Sequence, residues 1–225
     1  MLTVAPEKEQ PRVTEDIWVE AGGARLEGFL TVPDGARGIV LFAHGSGSGR
    51  HSPRNQHVAG VLQEGGLGTL LMDLLTAEEE ERDLVTTEHR FDIRLLADRL
   101  VGAARWLAER EETASLPLGG FGASTGAAAA LVAAAELPER FGAMVSRGGR
   151  PDLAGGALPL VRAATLFIVG SLDVPVIALN RETMAQMTAK VELEIVEGAS
   201  HLFEEPGTLD RAADLARDWF LRHLA

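Results

Sequence analysis

Six short apolar runs, most of them separated by segments long enough for a helix, constrain the fold of this chain more than any other feature. Apolar runs of this length are typical of buried strands. Their alternation with helix-length segments predicts an α/β fold with a mostly parallel central sheet and helices on both faces. The runs comprise residues 39–43, 69–72, 116–121, 143–145, 165–169 and 191–196.

Further patterns complete this fold at its two ends. Residues 17–19 and 26–32 alternate between apolar and polar types around a Gly-Gly pair, which predicts an N-terminal antiparallel hairpin. Apolar residues at three- and four-residue spacing predict helices over 91–110 and 209–224. No linker divides the 225 residues, so we expect one domain over 1–225, and the segment 146–165 is too short for a large cap.

Composition narrows the class of partner. A net charge of −12 argues against binding to a phosphate backbone, so nucleic acid is not an expected partner. The chain has no cysteine, which excludes a thiolate zinc site and a cysteine nucleophile. No group of histidines and carboxylates has convincing metal-ligand spacing either, so we expect neither a metal nor an organic cofactor.

The sequence shows no targeting or membrane segment. Residues 1–10 carry glutamates and a lysine instead of a basic start followed by an apolar core, so no signal peptide is expected. The best apolar candidate for a membrane span, residues 155–170, is interrupted by Arg162. We therefore expect a cytoplasmic protein without membrane contact, and its oligomeric state, monomer or homodimer, stays open.

One motif gives this fold a chemistry. Gly122-Ala123-Ser124-Thr125-Gly126 follows an apolar run and opens an alanine-rich run over 125–135. A serine on a tight strand-to-helix turn, with glycines two residues before and after it, is the nucleophile-elbow pattern. Small neighbours are required because the strained turn brings strand and helix close together. An ordinary glycine-rich turn is the competing interpretation.

Other reactive groups follow the remaining apolar runs. In an open α/β sheet the functional groups gather at the carboxyl ends of the strands. His44 and Gly45 follow the first of the six runs, Asp173 comes shortly after the fifth, and His201 shortly after the last. Together with Ser124, the chain order of the reactive groups is Ser, Asp, His, which is the order found in α/β-hydrolases.

On these residues the chain resembles the α/β-hydrolase superfamily, and within it the small, capless branch of dienelactone-hydrolase-like enzymes. The resemblance covers nearly the whole length. It implies that Ser124 attacks an acyl carbonyl, that His201 relays the proton and that Asp173 orients the imidazole. It also implies that the backbone N–H groups of Thr125 and Ser46 hold the oxyanion.

The resemblance has one departure, because dienelactone hydrolases proper use a cysteine nucleophile and position 124 is serine. We therefore expect general hydrolysis of carboxylic esters with small or short-chain acyl groups, through an acyl-enzyme. Acyl transfer to an alcohol would use the same residues and stays open. So does the alternative that the chain is a catalytically silent receptor or scaffold on this fold.

Competing assignments exist for the acid and the base. Asp173 is also placed to cap a helix that starts at Val174, and Asp152 is a rival acid because it follows the fourth run. Five other histidines compete with His201, but it is the histidine in a loop after the last strand. The five are His44, His51, His57, His89 and His223.

Two further stretches carry candidate binding groups. Arg147 and Arg150 leave a strand at the catalytic edge of the sheet, where they would clamp a substrate carboxylate or, equally, pair with acids of the protein itself. His44 and Gly45 are further candidates for substrate binding, although His44 also suits a structural role in the oxyanion loop. The glycine-rich residues 45–49 allow a second class of function, a phosphate- or nucleotide-binding module.

Overall fold

The computed structural model describes residues 13–224 and shows an eight-stranded sheet with helices on both faces. The strand order is β1-β2-β4-β3-β5-β6-β7-β8. From β4 through β8 neighbouring strands are parallel, whereas β1 and β2 are antiparallel additions at one edge. The strands are β1 (Thr14–Ala21), β2 (Ala24–Thr31), β3 (Ile39–Ala43), β4 (Gly68–Met72), β5 (Leu118–Ala123), β6 (Phe141–Arg147), β7 (Ala164–Gly170) and β8 (Val191–Val196). The predicted fold class is confirmed.

The six predicted strands are all present, and one of them is shifted. The run 116–121 predicted β5, which instead extends from Leu118 to Ala123. Pro117 has no N–H to donate, so it lies before the strand, where its carbonyl accepts from Ile39. At the other end, Gly122 and Ala123 continue the ladder beside β6. The strand therefore leads directly into Ser124.

The helices cover the two faces of the sheet in separate clusters. Helices α3 and α4 pack over one face, and α1 and α6 pack over the other. The helices are α1 (Pro53–Glu64), α2 (Ala77–Thr86), α3 (Ile93–Glu109), α4 (Thr125–Glu136), α5 (Val174–Met184) and α6 (Thr208–His223), and a 3-10 segment covers Pro151–Leu160. Alanine-rich α4 is buried along most of its length because small side chains let it lie close to the sheet.

The longest helix begins later than its pattern predicted. Asp92 caps α3 by accepting a hydrogen bond from the N–H of Leu95 at 3.0 Å. Phe91, which we expected on the apolar face of this helix, precedes the cap and is 58 % exposed. The helix over 209–224 was predicted to within one residue at each end, since α6 is Thr208–His223.

The predicted N-terminal hairpin is present, and its turn explains the pair of glycines. Gly22 and Gly23 both have positive φ, as a two-residue type I′ turn requires. The segment 1–10, from which we expected no signal peptide, lies outside the described residues. Within residues 13–224 there is no helix that combines the length and the apolar character needed to cross a membrane.

Candidate active site

Ser124 lies on a strained turn between β5 and α4. Its φ is +51° and its ψ is −124°, a conformation that L-residues rarely adopt. A Cβ on Gly122 would lie 2.3 Å from the Cα of Ala127, and a Cβ on Gly126 would lie 2.3 Å from the carbonyl oxygen of Ala43. Both flanking positions therefore exclude any side chain, which agrees with the steric argument made from the sequence.

His201 and Asp173 meet at the carboxyl ends of the last two strands. His201 Nδ1 lies 2.6 Å from Asp173 Oδ2, although 28 residues separate them in the chain. The Asp173 side chain is 13 % exposed, whereas that of His201 is 39 % exposed. Asp173 also occupies the cap position of α5, but its carboxylate makes no capping hydrogen bond. The structure thus favours the partnership with His201 over the capping role.

A close approach of two loops holds this pair together. A Cβ on Gly170, the last residue of β7, would lie 2.2 Å from the carbonyl oxygen of Ala199. Gly148, with a φ of +51°, lies against the His201 backbone, where an added Cβ would be 3.0 Å from the carbonyl oxygen. The loop that carries His201 therefore rests on the end of β7 and on the residue that follows β6.

The elbow is hydrogen-bonded to the end of β6. The N–H of Ser124 donates to the carbonyl of Arg147 at 3.4 Å, and the N–H of Arg150 donates to the carbonyl of Ser124 at 3.0 Å. The segment 147–150 is consequently part of the scaffold around the predicted nucleophile. Sequence analysis had considered its two arginines only as substrate ligands or ion-pair partners.

The predicted oxyanion loop contacts the start of α4. Thr125 is the first residue of that helix, and a first-turn N–H has no partner within its own helix. The N–H of Ser46, however, donates to Thr125 Oγ1 at 3.1 Å, and the two hydroxyls lie 3.0 Å apart. A Cβ on Gly45 would lie 3.0 Å from the Cβ of Ser124, so this glycine is needed for the close approach of loop and elbow.

His44 is held by backbone groups on both of its ring nitrogens. Nδ1 lies 3.0 Å from the carbonyl oxygen of Gly45, and Nε2 accepts from the N–H of Leu74 at 3.0 Å. Burial lowers the pKa of His44, so the ring is neutral, with its proton on Nδ1. This arrangement favours the structural role for His44, which ties the loop after β3 to the loop after β4.

A charged network, which sequence analysis missed, fixes the same loop. Asp73 accepts a hydrogen bond from the N–H of Arg50 at 2.7 Å, and the Arg50 guanidinium pairs with both Asp73 and Glu27. Asp73 directly follows β4, so its position at the carboxyl end of a predicted strand could have identified it as a candidate from the sequence. These contacts stabilise the loop and do not include Ser124.

The two candidate arginines have opposite environments. Arg150 donates to Asp152 through Nε at 2.9 Å and through Nη2 at 2.8 Å, so the guanidinium and the carboxylate form a two-bonded ion pair. This pairing removes the free carboxylate that the rival assignment of Asp152 as the acid required. Arg147 is 7 % exposed, and its Nε and Nη1 have no hydrogen-bond partner among the described residues.

The remaining histidines contact residues other than His201 and Asp173. His57 contacts Asp210 on α6, His51 packs edge-on against Phe29, and His223 packs against Trp219. His89 lies beside Glu88 in the loop before α3.

A cleft opens beside the oxyanion loop. It contains about 480 Å³ of empty space, part of it open to solvent. Its lining combines the glycine-rich loop with three leucines, Leu75, Leu84 and Leu96. Four charged residues also line it: Asp73, Glu80, Asp83 and Arg90. Thr125, which follows Ser124, and Gly45, which lies against it, also line the cleft.

The fold and the residues at its strand ends define an α/β hydrolase. No protein-family model matches the chain. A solved structure described as a dienelactone hydrolase from Anabaena variabilis is 58 % identical, with a TM-score of 0.93, and the match covers 95 % of this chain and 99 % of that one. The chain therefore belongs to the dienelactone hydrolase family.

More distant structures share the fold alone. Est1E from Butyrivibrio proteoclasticus is 13 % identical with a TM-score of 0.76, and the match covers 92 % of this chain and 98 % of that one. An esterase from Pyrococcus furiosus is 15 % identical with a TM-score of 0.74, and the match covers 95 % and 94 % of the two chains.

Curated relatives carry a different name. Two proteins from Mycobacterium tuberculosis strains, each called a putative phosphoribosyl transferase, are 55 % identical over 216 residues. The match covers 96 % of this chain and 48 % of each relative, so the chain spans about half the length of these curated relatives.

Proposed function

We propose that this protein is a serine hydrolase that cleaves carboxylic esters through an acyl-enzyme. The strained backbone of Ser124, with a φ of +51° at the end of a central strand, is the observation that carries the proposal. Such strain persists only where the surrounding structure enforces it, and it is a recurrent property of reactive sites. The His201–Asp173 contact at the same edge of the sheet supplies the base and its orienting acid.

In the proposed reaction His201 Nε2 accepts the proton of Ser124 Oγ while that oxygen attacks the acyl carbon. The Nδ1–H of His201 donates to Asp173, which fixes the tautomer and stabilises the imidazolium. The imidazolium then protonates the leaving alcohol as the ester bond breaks. Water, activated by the same histidine, releases the acid from Ser124.

The oxyanion is placed at the start of α4 in this proposal. The N–H of Thr125 is one donor, and the loop after β3 provides the other through Ser46. Because the N–H of Ser46 donates to Thr125 Oγ1, the developing oxyanion competes with that hydroxyl for the same donor. The Thr125 hydroxyl thus holds the loop in place before substrate arrives.

We propose small or short-chain acyl groups as substrates. The cleft beside the loop is modest in size, and three leucines within its mixed polar and apolar lining offer contacts to a short aliphatic chain. Initial rates on 4-nitrophenyl esters from acetate to palmitate test this proposal. We expect a maximum between acetate and hexanoate, and turnover of palmitate far above that of butyrate would contradict it.

Labelling with a fluorophosphonate probe, read by intact mass and peptide mapping, tests the nucleophile. We expect one adduct, located on Ser124 and absent from Ser124→Ala. Ser115→Ala is the matched control, because Ser115 is exposed on the turn that leads into the opposite end of β5. Correctly folded protein that takes up no probe would favour the silent scaffold instead.

Asp173→Asn tests the orienting acid. An asparagine keeps the shape but disfavours the tautomer that presents Nε2 to Ser124, so we expect kcat to fall by about 10³- to 10⁴-fold. Asp152→Asn is the control, since Asp152 contacts Arg150 instead of His201. If Asp152→Asn reduces kcat as strongly as Asp173→Asn, the assignment of the acid is wrong.

Phosphoribosyl transfer is the second candidate, and it rests on the name of the Mycobacterium tuberculosis relatives. We infer that this name describes a part of those proteins outside the match, because the match leaves about half of each relative uncovered. Release of pyrophosphate from phosphoribosyl diphosphate that depends on an added nucleobase acceptor, with formation of the phosphoribosylated base and no effect of Ser124→Ala, would support the transferase.

The glycine-rich residues 45–49 give little support to a nucleotide-binding module. Gly45 lies against the elbow, and Ser46 is engaged by Thr125. The next helix, α1, begins at Pro53 with Ser52 as its cap, so the loop does not lead directly into a helix N-terminus.

A further inference from the structure

Arg147 is a buried cation that has no counter-charge among the residues that the structure describes. It is 7 % exposed at the end of β6, and no carboxylate of the described residues hydrogen-bonds to its guanidinium. Nε and Nη1 are buried and have no protein acceptor in residues 13–224. Burial of an unpaired charge is strongly unfavourable, and proteins normally pair such a group or hold it for a ligand.

A second cation, Arg54, lies near Arg147. Burial, together with the nearby charge of Arg54, lowers the pKa of Arg147 to about 10. Arg54 lies in the first turn of α1, where the helix dipole disfavours a cation, and no acidic residue lies in that turn. Its contact with Glu204, at 3.5 Å, is long and exposed, so Arg54 is free to turn toward a stronger anion.

This cationic site adjoins the proposed catalytic residues. The carbonyl of Arg147 accepts the N–H of Ser124, and the next residue, Gly148, touches the backbone of His201. The guanidinium lies over the ring of Phe203, 5.8 Å from its centroid. Phe203 has a φ of +56°, an uncommon conformation for an aromatic residue, so the ring that contacts the guanidinium is carried by a strained backbone.

We propose that Arg147, assisted by Arg54, binds a phosphate group carried by the ester substrate. The inference rests on the proposed hydrolase function and names its substrate class. A phosphate monoester carries close to two negative charges at neutral pH, which matches two guanidinium groups beside a helix start. A carboxylate would neutralise only one of the two cations.

Thermal unfolding with inorganic phosphate tests the site without any reaction. Phosphate stabilises proteins generally by exclusion from their surface, so the readout is the difference between variants. We expect phosphate, compared with chloride at equal ionic strength, to raise the Tm of the native chain more than that of Arg147→Met. Arg162→Met is the control, since Arg162 is exposed and pairs with Glu139, and it should respond like the native chain. Equal responses of all three proteins would overturn the site.

Three acetate esters test the substrate class: 2-acetoxyethyl phosphate, 3-acetoxypropanoate and uncharged 2-methoxyethyl acetate. We expect kcat/KM of the native chain to favour the phosphorylated ester over the uncharged one by about tenfold or more, through KM, as one charge-assisted hydrogen bond suggests. In Arg147→Met this ratio should fall toward one, and Arg147→Lys should restore part of it. An equal or larger preference for 3-acetoxypropanoate would overturn the choice of phosphate.

The two experiments separate the two proposals. If none of the acetates is hydrolysed and no fluorophosphonate adduct forms, the hydrolase proposal fails, whereas the Tm difference still decides whether Arg147 binds phosphate. If the esters are hydrolysed with the same ratio in the native chain and in Arg147→Met, the hydrolase stands and the phosphate site is wrong.

Discussion

Replacing Arg147 by methionine should stabilise the free protein. Burial and the Arg54 charge lower the pKa of Arg147 to about 10, well below its ordinary value. At about 1.36 kcal/mol per pKa unit, the buried charge costs roughly 3 kcal/mol of folding free energy. Arg147 is charged in both the folded and the unfolded state at pH 7, so the whole penalty applies there.

Methionine keeps most of the aliphatic contacts but loses the cation–π contact with Phe203, which contributes about 1 kcal/mol. We therefore expect Arg147→Met to raise the free energy of unfolding by about 2 kcal/mol, or the Tm by roughly 5 °C for a chain of this length. Urea unfolding and calorimetry in phosphate-free buffer measure both quantities.

Arg162→Met is again the control, because an exposed pair contributes little, and its unfolding free energy should change by less than about 0.5 kcal/mol. A loss of 1 kcal/mol or more in Arg147→Met, as estimated for a broken structural contact, would refute the reasoning. Arg147 would then be a structural residue that holds Phe203 and the His201 loop, and no ligand would be needed to explain its burial.

Three further predictions concern the scaffold of the site. Gly122→Ala should destabilise the protein by about 2 kcal/mol or more, because its Cβ would lie 2.3 Å from a backbone atom of α4. Gly60→Ala, whose Cβ would meet no atom within 4 Å beyond the backbone of its own helix and its chain neighbours, should be neutral or stabilising by up to about 1 kcal/mol. Chemical denaturation compares the two variants, and equal effects would contradict the steric argument. Thr125→Val should lower kcat by up to about tenfold, because it removes the hydroxyl that accepts the N–H of Ser46, while Thr125→Ser should retain activity. Steady-state kinetics measure both variants, and an unchanged kcat in the valine variant would show that the hydroxyl does not position the loop. Burial lowers the pKa of His44, so on acidification the unfolded chain binds a proton at this residue before the folded chain does. The contribution of His44 to the free energy of unfolding is therefore full above about pH 6.5 and declines below it, by at most about 1.4 kcal/mol per pH unit. His44→Gln should flatten the dependence of Tm on pH between about 6.5 and 4.5, and an unchanged slope would show that His44 does not contribute to that dependence.

Local sequence patterns determined most of the architecture. Buried parallel strands have unbroken apolar sequences, so the run 39–43 predicted both the bounds and the burial of β3. The run 191–196 predicted the bounds of β8, but it contains Glu192 and Glu194, and only Val196 in this strand is buried, so the expectation of a fully buried strand was wrong there. The nucleophile elbow could also be predicted from the sequence, because the turn leaves no room for a side chain at residues 122 and 126 and only glycine lacks one. Boundaries were less certain where a proline or a cap decides the end of an element, as for β5 and α3.

The sequence alone determined which reactive residues stand at the strand ends, because the order of strands along the chain sets that edge of the sheet. Only the tertiary structure decided which side chains meet there. Asp173 and Asp152 were both acceptable acids in the sequence, and the close packing of the β7 and β8 ends brought Asp173 to His201. Arg147 and Arg150 looked equivalent, three residues apart, yet Arg150 met a carboxylate and Arg147 was buried without one. Pairing and burial depend on contacts between distant segments, which spacing along the chain does not encode.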